Sequence, residues 1–157
     1  MAGRKYTIDD INIVGDPLTV IRKLYSRDGM EAPGASFCAA ALVQQLLLMA
    51  ATPAQVDQRN TWIFISSDRD WLKAEDGSVS KRPFLHIEPL LQAGSNSHRM
   101  EVLLTVFATA VVTAGTDGTE WIVGDQGRHP LPAGVTIEEF QRGCGRVVAF
   151  IFAEGVS

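Results

Sequence analysis

Hydrophobic residues in this chain fall into short blocks whose spacing switches between helical and extended periods. Asp16-Pro17 opens the first clear helix: Asp suits an N-cap, and Pro is tolerated where the first N–H has no helical partner. Leu18, Ile21, Leu24 and Tyr25 follow at helical spacing, with Arg22, Lys23 and Arg27 facing away, and Asp28-Gly29 supplies a stop. Upstream, Tyr6-Thr7-Ile8 and Ile11-Asn12-Ile13-Val14 suit a short strand or an extended arm. Glu31-Ala32-Pro33-Gly34 reads as a linker. Ser36 then reads as the N-cap of a long helix from Phe37 to about Ala51, stopped by Pro53. Apart from the small Cys38, its only polar side chains are Gln44 and Gln45. A helix apolar on nearly all sides is buried on several of them. It is either the central core helix or half of a subunit interface, and the core reading is preferred because one domain needs one such helix.

Extended periods dominate the rest. Thr61–Ser66 is a run of aromatic and β-branched residues that breaks off into Ser66-Ser67-Asp68-Arg69-Asp70, as a buried strand would. Asp68–Glu75 suits a short helical turn, and Asp76-Gly77-Ser78 a turn. Pro83–Glu88 reads as an edge strand bounded by Pro83 and Pro89, with Phe84, His86 and Glu88 on one face. Gly94-Ser95-Asn96-Ser97 is a loop. Met100–Ala114 fits two periods. As a helix it aligns Thr105, Thr109 and Thr113 opposite an apolar surface, with Ser97 as cap and Gly115 as end. As a strand its even positions are all apolar, and the following Asp117-Gly118 would then close a hairpin. Its length of fifteen residues is ordinary for a helix and long for a strand, so the helix is preferred. Glu120–Val123 is a strand, Gly124–Gly134 a loop, and Thr136–Phe140 a short helix with a Thr136/Glu139 capping box. Gly145–Phe152 contains a fully apolar run suited to a central strand. The alternation predicts an α+β fold: a single domain with a mixed, mostly antiparallel sheet and two or three packed helices.

Composition narrows the class. A chain of 157 residues with 46% hydrophobic and 20% charged residues has an ordinary globular composition. It is long enough to bury roughly two thirds of its unfolded surface without staples. The net charge of −4 argues against a broad nucleic-acid surface, since Lys and Arg occur only as scattered pairs. Neither long apolar block reaches the roughly 20 residues of a membrane span, and the N-terminus lacks the apolar core of a signal peptide. Cys38 and Cys144 lie in no zinc-like spacing and read as two buried thiols, with a disulfide between them left open. Cytoplasmic localisation is the expectation.

Candidate chemistry centres on Asp68 and Asp70, two residues apart after a buried strand. Carboxylates so spaced suit Mg²⁺ or Mn²⁺; the alternative is a loop in which Asp68 caps the next turn and Arg69 neutralises its neighbours. His86 and Glu88, on one strand face, could join them as metal ligands or as an acid–base pair. Against this stands a merely polar edge strand. His98, Arg99 and Glu101 read as helix-start residues, Glu101 favouring the dipole, and His129 as a loop histidine. Cys144, between Gly143 and Gly145, would need a neighbouring base to act as a nucleophile, and a tight turn is the simpler reading. The chain contains no P-loop, GxGxxG, GxSxG, HExxH or EF-hand pattern.

Three functional expectations follow. The first is a binding or assembly protein that acts through protein–protein contact, with another protein or with itself as a homodimer. Its basis is the surplus of apolar elements and the missing catalytic motifs. The second is a hydrolase or phosphotransferase that uses a divalent metal on Asp68 and Asp70 with His86 or Glu88. The third is a small-molecule-binding domain with an aromatic pocket against Trp62, Trp71 and Trp121.

Overall fold

The computed structural model describes residues 16–26, 31–94 and 96–153. In chain order these hold helices α1 (Pro17–Leu24) and α2 (Ala35–Leu48), strands β1 (Ala54–Arg59) and β2 (Trp62–Ser67), and the one-turn helix α3 (Arg82–Leu85). A 3₁₀ turn (Leu91–Ala93), helix α4 (Glu101–Phe107), strands β3 (Ala110–Gly115) and β4 (Gly118–Val123), helix α5 (Ile137–Arg142) and strand β5 (Arg146–Ile151) follow. The strands form one sheet in the order β1-β2-β5-β3-β4, and every pairing is antiparallel. Two hairpins supply the outer pairs. β5 lies between them, with Val148 opposite Ile65 on one side and Thr113 on the other.

Both faces of the sheet are covered, because β2, β3 and β5 carry apolar residues at consecutive positions. On one face Ile63, Ile65, Val111, Val148 and Phe150 pack with Ile21 of α1, Cys38, Leu42 and Leu46 of α2, and Val102 and Leu103 of α4. On the other, Trp62, Phe64, Val112, Val147 and Ala149 meet Ile137 and Phe140 of α5, with Trp121, Leu131 and Val135. Phe64 and Phe140 stack with ring centroids 4.3 Å apart. Thr136 caps α5 by accepting the Glu139 N–H.

The α+β class holds, with a single sheet and helices packed on it. Several elements differ from the expectation. Met100–Ala114 is neither all helix nor all strand: α4 ends at Phe107, Ala108 turns extended, and β3 begins at Ala110. The Thr116-Asp117 turn then closes the hairpin. Pro83–Glu88 is not a strand: Pro83 occupies the first turn of α3, where its missing N–H costs nothing. Residues 68–75 are turns rather than a helix, joined to Val79 by a lone bridge at Lys73. Helix α2 begins at Ala35 after Gly34, so Ser36 is no cap, and it ends at Leu48. β1, which carries a single large apolar residue, has no counterpart among the expected elements. Tyr6–Ile8, Ile11–Val14 and the Asp28-Gly29 stop lie outside the described residues.

Candidate functional site

Of the four residues expected to gather around a metal, Asp70 and Glu88 are engaged by other partners. Asp70 follows β2, an interior strand, and its two oxygens grip the Arg146 guanidinium side-on, at 2.9 Å from Nε and 2.8 Å from Nη2. Its Oδ1 also accepts the Leu72 N–H. Asp68 is exposed. His86 caps α3 rather than standing on a strand, and Glu88 pairs with Arg82 at 2.7 Å. Among the described residues no three His, Cys, Asp or Glu side chains come together as a metal site.

Asp70 belongs instead to an ionic network at one end of the sheet. Arg146, the first residue of β5, is fully buried, and its Nη2 also donates to Asp117 Oδ1 at 2.7 Å. Lys81 Nζ reaches Asp117 Oδ2 at 2.6 Å and Glu120 at 3.5 Å. Partial burial pushes the Asp117 carboxyl up, but hydrogen bonds from Lys81 and Arg146 outweigh it and hold the group below its ordinary value. A buried guanidinium needs this number of acceptors, because each unpaired N–H would carry a desolvation cost. Two glycines make the room. A β-carbon on Gly115 would stand 2.9 Å from Arg146 Nε and closer still to Nη2. One on Gly145 would meet the backbone at Asp68 and Asp70. The network ties β5, the β3–β4 turn and the segment after β2 together, and every member is engaged in holding the fold.

A second polar group lies under α2. Buried Glu101 accepts from Gln45 Nε2 at 2.8 Å and pairs with Arg99, while Gln45 Oε1 accepts the Met100 N–H. His98 Nδ1 lies 2.6 Å from the Arg99 carbonyl. That carbonyl can only accept, so Nδ1 donates to it, and Nε2 lies 2.8 Å from the Tyr25 hydroxyl. The sequence places His98, Arg99 and Glu101 at a helix start, and the structure adds that they anchor α4 to α1 and α2. His129 is half-buried in its loop. Cys144 directs its thiol at the carbonyls of Phe140 and Arg146, and burial raises its pKa, so it lacks the features of a nucleophile. Both cysteines are free. Burial pushes the Cys38 thiol up to about 12.

The three tryptophans do not share a pocket. Trp62 and Trp121 meet edge-on at 6.1 Å on one face of the sheet, whereas Trp71 packs on the other. Trp121 lines a cleft of about 230 Å³ with Leu131 and Ile137. Trp71 lines another of about 320 Å³ with Met49, Lys73 and Arg82.

Among the described residues, the outer side of α2 gathers three exposed large apolar side chains on one helix. Cys38, Leu42, Gln45 and Leu46 point into the core, while Phe37, Leu47 and Leu48 remain 52%, 58% and 42% exposed. Ala40 and Gln44 lie between them, and the helix carries no charge along its fourteen residues. No described residue covers this stripe. Beside it runs a groove of about 310 Å³ between α2 (Ala41, Gln44, Leu48) and the segment holding Leu90, Ala93 and Met100. Leu91, next in sequence to the groove-lining Leu90, is 77% exposed. The apolar composition of the helix was legible in the sequence; that no described residue covers its outer side was not, because burial depends on which neighbours arrive.

The fold and this surface define an α+β domain with a five-stranded antiparallel sheet and an uncharged helix face that no described residue covers. Comparison with protein families, with curated proteins and with solved structures yields no match.

Proposed function

We propose that this chain is an assembly module that acts by protein–protein contact, and that its contact surface is the outer face of α2 with the adjoining groove. The observation that carries the reading is the exposure of Phe37, Leu47 and Leu48 on one uncharged helix. Monomeric surfaces scatter large apolar residues singly, whereas contiguous patches mark contact sites. The patch is modest. A 14-residue helix is about 21 Å long and about 10 Å wide. A standard interface buries about 800 Å² per partner, so α2 and the flanking 3₁₀ turn suit a weak, reversible contact. The cytoplasm is the proposed location, supported by the two free thiols, which pack on opposite faces of the sheet.

A photoreactive residue placed at Leu47 in cells tests this, with the exposed Glu75 as control position. The expected result is one discrete adduct at Leu47, identified by mass spectrometry as this chain or one other protein, and lost on Ala40→Glu. Equal labelling at both positions, or no adduct at Leu47, would refute the reading.

A further inference from the structure

Resting on that reading, we infer that the occupant of the α2 face is α2 of a second copy, packed antiparallel about a two-fold axis. Phe37, Ala41, Gln44 and Leu48 are spaced four, three and four residues apart, which keeps them on one narrow line of the helix. This is the spacing of a two-helix seam. Reversing the helix maps Phe37 onto Leu48 and Ala41 onto Gln44. The stripe is therefore complementary to its own reverse: a bulky residue meets a bulky one at each end, and small Ala41 meets Gln44 in the middle. Each contact occurs twice, as a closed isologous dimer requires.

Two further observations favour a second copy over an unrelated partner. The chain as a whole carries a net charge of −4, so two copies repel, yet α2 has no charged residue, which makes it a neutral place for like chains to meet. The groove also lies at the matching register. It opens beside Leu48, between Gln44, Leu90 and Ala93, which is where the reversed partner brings its Phe37. At about 310 Å³ it has room for a benzyl side chain. Knob and hole thus sit at opposite ends of the same helix. A parallel pairing would set Phe37 against Phe37 and leave both grooves empty.

Sedimentation of wild type, Phe37→Glu, Leu48→Lys, and an equimolar mixture of the two variants tests the register. Both side chains lie outside the core, and unchanged circular dichroism and melting temperature confirm the fold of each variant. The wild type is expected to dimerise in the micromolar range. Each variant alone should dimerise at least about tenfold more weakly, a change of about 1.4 kcal/mol. The mixture should recover, because the introduced carboxylate then meets the introduced ammonium at one end while Phe37 meets Leu48 at the other. Recovery in a mixture of Phe37→Glu with Phe37→Lys instead would overturn the antiparallel register. A wild-type dimer indifferent to both substitutions would overturn the face. A monomeric wild type whose Leu47 adduct is another protein would overturn the second copy while leaving the contact surface standing.

Discussion

Replacing Gly115 by Ala adds one methyl group at the point where the sheet can least accommodate it. Gly115 pairs directly with Arg146 across β3 and β5, and the new carbon would lie 2.9 Å from Nε and nearer to Nη2. An exposed arginine would swing aside at little cost. This one is fully buried and held by Asp70 and Asp117. If the guanidinium leaves, Asp70, itself 8% exposed, loses its partner, a change that typically costs about 3–5 kcal/mol. If β3 shifts instead, overpacking costs about 1–3 kcal/mol. The lower entropy of Ala in the unfolded chain offsets about 0.5–1 kcal/mol. The cheaper response sets the cost, so a net loss of about 1–2 kcal/mol is expected, which lowers the melting temperature of a domain of this size by about 2–8 °C. Urea unfolding followed by circular dichroism measures it. Gly143→Ala is the control, since its nearest neighbour would be 3.8 Å away. In the Arg146→Met background the penalty of Gly115→Ala should shrink by at least about 1 kcal/mol, because the clash partner is gone. A Gly115→Ala protein no less stable than wild type would show that the guanidinium is not fixed where the geometry places it.

Four further outcomes are expected. Asp70→Asn should destabilise the fold by about 3 kcal/mol, and Mg²⁺ or Mn²⁺ should leave the wild-type melting temperature unchanged; a metal-induced rise absent from the variant would revive the metal-site reading. Because Asp117 titrates lower in the folded than in the unfolded chain, its contribution is present above the ordinary carboxyl value of 3.8 and lost as pH falls through the lower folded value. Asp117→Asn should therefore be less stable near neutrality and lose less on acidification, as pH-dependent urea melts would read. Gln45→Leu should cost about 2–3 kcal/mol by stripping Glu101 and the Met100 N–H of a buried partner, with retention of wild-type stability as the contrary result. An aromatic disulfide reagent should label half-buried Cys144 before Cys38, whose thiol is buried and pushed up to about 12; the reverse order would contradict the packing of α2.

What could be read from the sequence was whatever is encoded locally. The run Val147–Ile151 is apolar at every position, and only a strand covered on both faces uses such a run, so β5 was legible as a central strand. Pro17 marked the start of α1 for an equally local reason. β1 escaped because an edge strand needs no apolar face; Gln55, Asp57, Gln58 and Arg59 serve it well and resemble a loop. Both halves of Met100–Ala114 are buried, so neither period dominated, and the break at Ala108-Thr109 has no Gly or Pro to announce it. The candidate site shows the same limit. Asp70 stood out as a carboxylate after a strand, but its partner Arg146 is 76 residues away and Asp117 joins from a third segment, so its task emerges only from the assembled sheet.

The position of β5 between two hairpins has a consequence for synthesis of the chain. β1–β2 and β3–β4 are each local pairs that can close while the chain is still emerging, but no hydrogen bond joins one hairpin to the other until residues 146–151 arrive. At about 5–20 residues per second the ribosome delivers that strand after the other four. Until then the inner edges of β2 and β3 are both unpaired and apolar. The interval between translation of Gly115 and of Ile151 is thus the period in which a nascent chain most needs protection from strangers.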